Sequence, residues 1–105
     1  MSKNKNKEKD FYIILGQVIK KIRKENEYSL EEFSKVTELG LDKSTIYGIE
    51  NGRQRLSFYQ LCLISKSMGI PVSKIIVDIE YAIEDYEQKK KTELSEKDKL
   101  KIDNI

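Results

Sequence analysis

Residues 29–53 read SLEEFSKVTELGLDKSTIYGIENGR, and how that stretch is parsed decides the fold of the chain. Ser29 followed by Glu32 is the S-x-x-E capping box, in which each side chain satisfies a backbone amide left free at a helix start. Asp42 is a second N-cap, just ahead of Lys43-Ser44-Thr45. Ile46 and Ile49 are three apart and share one face of the helix that follows. Asn51-Gly52 closes that helix, because glycine takes the left-handed conformation after a last turn without steric cost. Gly40 lies in the turn between the two patterns. The stretch therefore predicts a helix, a turn, and a short second helix over about Lys43 to Glu50.

Working outward, Phe11, Leu15, Val18, Ile19 and Ile22 recur every three or four residues and predict a helix from Phe11 to about Asn26. Lys20, Lys21 and Lys24 fall off that stripe, and Tyr28 stands where a hydrophobic staple residue precedes the Ser29 cap. In the helix after Ser29, Phe33 and Val36 are expected to face inward. Ser57 is the cap of a fourth helix, Phe58 to Met68, whose core stripe is Phe58, Leu61, Ile64 and Met68. Gly69 ends it, and Pro71-Val72 leads to Ser73 as the cap of a fifth. There Ile75, Ile79, Ala82 and Tyr86 continue at 4-3-4 spacing beside Ile76 and Ile83, an a/d-like seam longer than one small core covers. Ile79, Ala82, Ile83 and Tyr86 are thus expected to meet a second copy or a related regulator, unless the tail folds back on its own domain. Beyond Gln88 the Lys-rich run and the Ser95–Asp98 capping pattern predict frayed helix, then a short amphipathic turn bearing Leu94, Leu100, Ile102 and Ile105.

The 105 residues make one domain with room for little else. The expected class is all-α, with a core domain over 11–77 and a helical extension over 78–105. Met1 to Asp10 alternates lysine with polar residues and is expected to be a disordered basic tail. Its Lys3, Lys5, Lys7 and Lys9 suit either a solubilising tail or an arm that meets phosphates. The lone Cys62 excludes a disulfide framework and fits a reducing cytoplasm. No signal-peptide pattern and no membrane-length apolar run is present. Charge is uneven: residues 1–28 carry a net +4, residues 29–76 a net +1 and residues 77–105 a net −3. A basic front and an acidic rear suit nucleic acid at one end and protein at the other, and also suit ordinary solvated faces. There is no histidine, one cysteine cannot build the usual zinc site, and no phosphate loop or nucleophile elbow appears. Neither an enzyme nor a metal or other cofactor is expected.

Four segments carry a resemblance to a known family: GQVIKKIRKE at 16–25, SLEEF at 29–33, STIYGIENGR at 44–53 and MGIPVSKII at 68–76. Together they resemble the phage-repressor-like (Cro/CI, XRE-type) helix-turn-helix regulators, over roughly Gly16 to Ile76. The GQ-IK-RKE…YSL opening also resembles short repressors of sporulation and biofilm control. The resemblance implies a five-helix repressor-like DNA-binding domain and a transcriptional regulator of double-stranded DNA. By carry-over, Lys43, Ser44, Tyr47 and Gly48 stand at base-reading positions, with Gly48 offering no side chain to read with. Leu30, Thr45, Arg53, Gln54 and Arg55 stand where relatives contact phosphate. Arg23 matches an arginine that pairs with the glutamate at Glu50.

Two departures accompany the match. Leu30 replaces the usual phosphate-holding glutamine, which leaves contacts there to backbone amides and the helix N-terminus. Phe33 to Gly40 spans seven residues, two more than the family's usual spacing, so either the second helix or the turn is longer. The favoured expectation is a cytoplasmic dimeric repressor of a near-palindromic operator. A protein-interaction module, an antagonist or antitoxin-like partner of a sibling regulator, is the rival, and Leu30, Gly48 and the longer turn lean towards it.

Overall fold

Five helices follow one another in the computed structural model, with no strand among the described residues: backbone at residues 2–103, side chains at 7–93. They are α1 (Ser2–Glu25), α2 (Leu30–Thr37), α3 (Lys43–Glu50), α4 (Phe58–Met68) and α5 (Val72–Asp103). Ile19 and Ile22 of α1, Phe33 of α2, Ile46 and Ile49 of α3, Ile64 of α4 and Ile75 of α5 meet in a single core. Each inner helix starts as its cap residue dictates. Ser29 and Ser57 both form complete capping boxes, with Glu32 and Gln60, and Asp42 accepts the Thr45 amide at 2.8 Å. Gly69 ends α4 in the left-handed conformation. No described helix is long and apolar enough to cross a membrane.

The length question between Phe33 and Gly40 resolves into the turn. Helix α2 stops at Thr37, and both Glu38 and Gly40 adopt positive φ before the Asp42 cap. Leu39 and Leu41 pack their side chains on the core edge, and the Ser34 hydroxyl donates to the Leu41 carbonyl, so the longer turn is anchored.

Three apolar expectations and one cap are corrected. Val36 is exposed, and Thr37 is buried in its place, one turn after Phe33. A hydroxyl is tolerated there because it donates to the Phe33 carbonyl at 2.6 Å. Phe58 is 65% exposed, since it opens α4 beyond the edge of the core, and Phe11 is half-exposed beside it. Ser73 is not the cap of α5, which begins at Val72, with the Pro71 carbonyl accepting from Lys74 and Ile75.

The termini differ more. The expected tail is the first part of α1, which is helical from Ser2. From Lys7 onward this turn of helix is tied down by two acids: Glu8 pairs with Arg55, and Asp10 meets both Tyr86 (3.1 Å) and Lys90 (2.7 Å) of α5. These contacts join residues 47 to 80 positions apart, which no local composition reveals. At the other end, α5 passes Val77 without a break, so the expected boundary at 77/78 falls inside one helix. The seam on α5 is covered from within. Ile79 belongs to the core, Ala82 and Ile83 pack against it, and Tyr86 bonds Asp10. Helix α1, longer than expected, is what covers it. The side chains of Leu94, Leu100 and Ile102 and all of Ile105 lie outside the described residues.

Candidate nucleic-acid interface

Helix α3 is eight residues long and too short to be stable alone, so its orientation comes from packing. Its rear is apolar: Ile46 and Ile49 are almost wholly buried. Its far end is clamped. Arg23 of α1 donates from Nε to Glu50 Oε2 at 2.7 Å and from a terminal nitrogen to Oε1 at 3.0 Å, while its other nitrogen donates to the Tyr28 carbonyl at 2.8 Å. Glu50 is buried, and the guanidinium is held above its ordinary pKa by the hydrogen bonds to that carboxylate. Helix α1 crosses this end of α3 at Gly16. A Cβ there would lie 2.5 Å from the Glu50 carbonyl oxygen and closer still to that of Ile49, so only glycine permits the crossing.

The near end is capped by Asp42. Hydrogen bonds from Thr45 and then Ser44 hold its carboxyl below the usual carboxylate range. Lys43, Ser44 and Tyr47 are exposed, Tyr47 by 53%, on the side opposite Ile46 and Ile49. The Ser44 hydroxyl donates to Asp42 at 3.0 Å, which leaves its lone pairs to accept a hydrogen bond from outside. Thr45 is half-buried, its amide held by Asp42. Gly48 is buried, with the Gln54 side chain lying over it.

After α3 the chain turns sharply. The Gly48 carbonyl accepts the Arg53 amide at 2.8 Å and the Gln54 amide at 3.2 Å. Gly52, at φ 78°, lies against the backbone of Ile13. Arg53, Gln54 and Arg55 emerge exposed from this loop. Arg55 is not solitary: its guanidinium lies 5.4 Å from the centre of the Tyr12 ring and pairs with Glu8. Lys9, Tyr12, Arg53 and Arg55 line one polar hollow with Glu8, so the front of α1 borders the loop. Lys9 was read only as part of a basic tail, and Glu8 and Tyr12 were missed by the sequence reading, because their relation to Arg55 depends on how α1 crosses the loop.

Leu30 is different. Its side chain is half-buried on the core edge, and Glu31 and Glu32 follow it in the first turn of α2. Glu32 accepts the Ser29 amide at 3.1 Å, its carboxyl held low by that bond, so the amide beside Leu30 is already occupied.

A helix-turn-helix family model matches residues 19–75, which contains α2, the turn and α3. The control protein C.MunI of a Mycoplasma species is 38% identical over 72 residues, 68% of this chain and 95% of that one. Two solved structures share the fold. The restriction-modification controller protein C.AhdI of Aeromonas hydrophila aligns with a TM-score of 0.54 at 22% identity, over 61% of this chain and 94% of its own. The clp gene regulator ClgR of C. glutamicum aligns with a TM-score of 0.60 at 17% identity, over 69% of this chain and 91% of its own. The chain therefore belongs to the XRE-type helix-turn-helix family and is a DNA-binding transcriptional regulator.

Proposed function

We propose that the protein is a cytoplasmic, dimeric repressor that reads a near-palindromic operator with α3. The observation that carries this is the orientation of an eight-residue helix with its rear buried, its far end clamped by Arg23 and its N-terminal side chains bare. In this reading Lys43 donates to guanine, Tyr47 presents its ring to a thymine methyl, and Ser44 accepts from an amino group on a base edge. Arg53 and Arg55 hold phosphates and supply affinity without sequence information. The α2 N-terminus contributes little, since Leu30 is apolar and the Ser29 capping box occupies the local amide.

Two copies would set two α3 helices about one turn of duplex apart, roughly 34 Å. With Ile79, Ala82 and Tyr86 packed against the domain itself, a second copy is expected to use the apolar groove between α1, α4 and α5. Phe11, Phe58, Ile76 and Ile83 line it, and Phe58 and Ile76 are 65% and 41% exposed. Contiguous exposed apolar surface of this kind marks interfaces in soluble proteins. Glu80 is the one charged residue on its lining, so a like surface meets it with little electrostatic cost.

The test is fluorescence anisotropy with duplexes selected from a randomised pool by the protein itself, run beside scrambled duplexes of the same composition. Lys43→Ala is expected to weaken the selected duplex far more than the scrambled one. Equal loss on both would make Lys43 a phosphate contact, and a pool yielding no consensus would end the operator reading.

A further inference from the structure

Gly48 stands four residues after Ser44 and one after Tyr47, both exposed, so the helix turns it toward the same outward side. A residue there ought to be open to solvent, yet it is buried. The reason is Gln54. A Cβ added at Gly48 would meet Gln54 Cγ at 2.7 Å, Cβ at 3.6 Å and Cδ at 3.9 Å, its three nearest neighbours. The stem of Gln54 thus occupies the space that a side chain on α3 would fill. Its backbone is fixed in register, because the Gly48 carbonyl takes both the Arg53 and Gln54 amides. Gln54 as a whole remains exposed, so its carboxamide lies beyond the covered stem.

We propose that Gln54 is a base-reading residue, delivered across α3 by the loop to supply the side chain that Gly48 lacks. This rests on α3 entering the major groove. A carboxamide donates to N7 and accepts from the N6 amino group of adenine, which makes an A·T pair its match. Glycine at 48 is then a requirement of the arrangement, since any larger residue displaces the glutamine stem. The flanking Arg53 and Arg55 are better suited to phosphate, where charge is what releases counterions and a neutral amide contributes none of that.

The experiment is selection from a randomised duplex pool with the wild type, Gln54→Ala, Gly48→Ala and the double variant, each checked for helical content by circular dichroism. The wild-type consensus is expected to contain one A·T pair per half-site whose preference falls on the order of ten-fold in Gln54→Ala, with other positions unchanged. Gly48→Ala, which pushes aside a flexible side chain and not backbone, is expected to lose preference at the same pair. The double variant should then lose no more than either single one, because both remove one interaction. An unchanged consensus with uniformly weaker binding in Gln54→Ala would overturn the assignment and leave Gln54 on the phosphates. Failure of the wild type to select any consensus would instead overturn the α3 reading itself, and this assignment with it.

Discussion

At the scale of single residues, the orientation of α3 depends on groups packed behind it. Glu50 is a buried carboxylate whose charge is tolerable only because Arg23 meets it with two nitrogens. Removing one partner of such a pair strands the other, at about 3–5 kcal/mol. Arg23→Met is expected to lose that much in urea unfolding, and Arg23→Lys a substantial part of it, because an ammonium cannot span both oxygens and the Tyr28 carbonyl. Gly16→Ala forces a methyl group against two backbone carbonyls that cannot swing away. Its cost should reach about 3 kcal/mol, the upper end of ordinary overpacking, and appear as a lower melting temperature. The capping and helix-closing residues Ser29, Asp42, Ser57 and Gly69 were legible in sequence because their partners lie within three or four positions. The Arg23–Glu50 pair was visible only through the family pattern, and Thr37 was not visible at all, since burial of a hydroxyl depends on a carbonyl one turn back.

At the scale of elements, the extended α1 links the loop that carries Arg53 and Arg55 to α5. Asp10 ties α1 to α5, and the Lys90 hydrogen bond holds its carboxyl below the ordinary range. A depressed folded-state pKa means the contribution is present above the ordinary value and is lost as pH falls through the depressed one. The tie should therefore be constant between neutral pH and about pH 5 and weaken below about pH 4. Faster amide exchange in residues 7–14 as the pH falls, absent in Asp10→Asn, is the expected sign once intrinsic exchange rates are corrected for. Glu8 pairs with Arg55 across the loop, and if Arg55 holds phosphate as proposed, the two acceptors compete for it. Glu8→Gln is expected to tighten binding to scrambled duplex at low salt by no more than about five-fold, as suits one exposed ion pair. No change would mean that phosphate never reaches Arg55. Residues 1–10 read as a tail because lysine-rich composition carries no apolar stripe, and Glu8 and Asp10 have their partners in a distant loop and a distant helix.

At the scale of the whole molecule, α1 and α5 pack along each other, so the rear of α5 is structural and the front of the groove is free. Truncation after Val77 would remove Ile79 from the core and the α5 face that Tyr86 presents to Asp10. It is expected to destabilise the domain, not merely to separate two copies. Ile76→Asp and Phe58→Ser, by contrast, are expected to give a monomer by light scattering with little loss in melting temperature. A dimer that survives both changes would move the interface elsewhere.

The sequence by itself determined five helices, three of their starts, the apolar rear of α3 and its membership of a DNA-reading family. Each of these is written in caps and three-to-four-residue spacings, which act over one or two helical turns. Only the tertiary structure decided that α1 begins before Phe11, that the turn and not α2 absorbs the added length, that the α5 seam is already covered, and that Gln54 lies over Gly48. Those outcomes depend on which surfaces distant segments bring together, and that is set by packing of the whole chain.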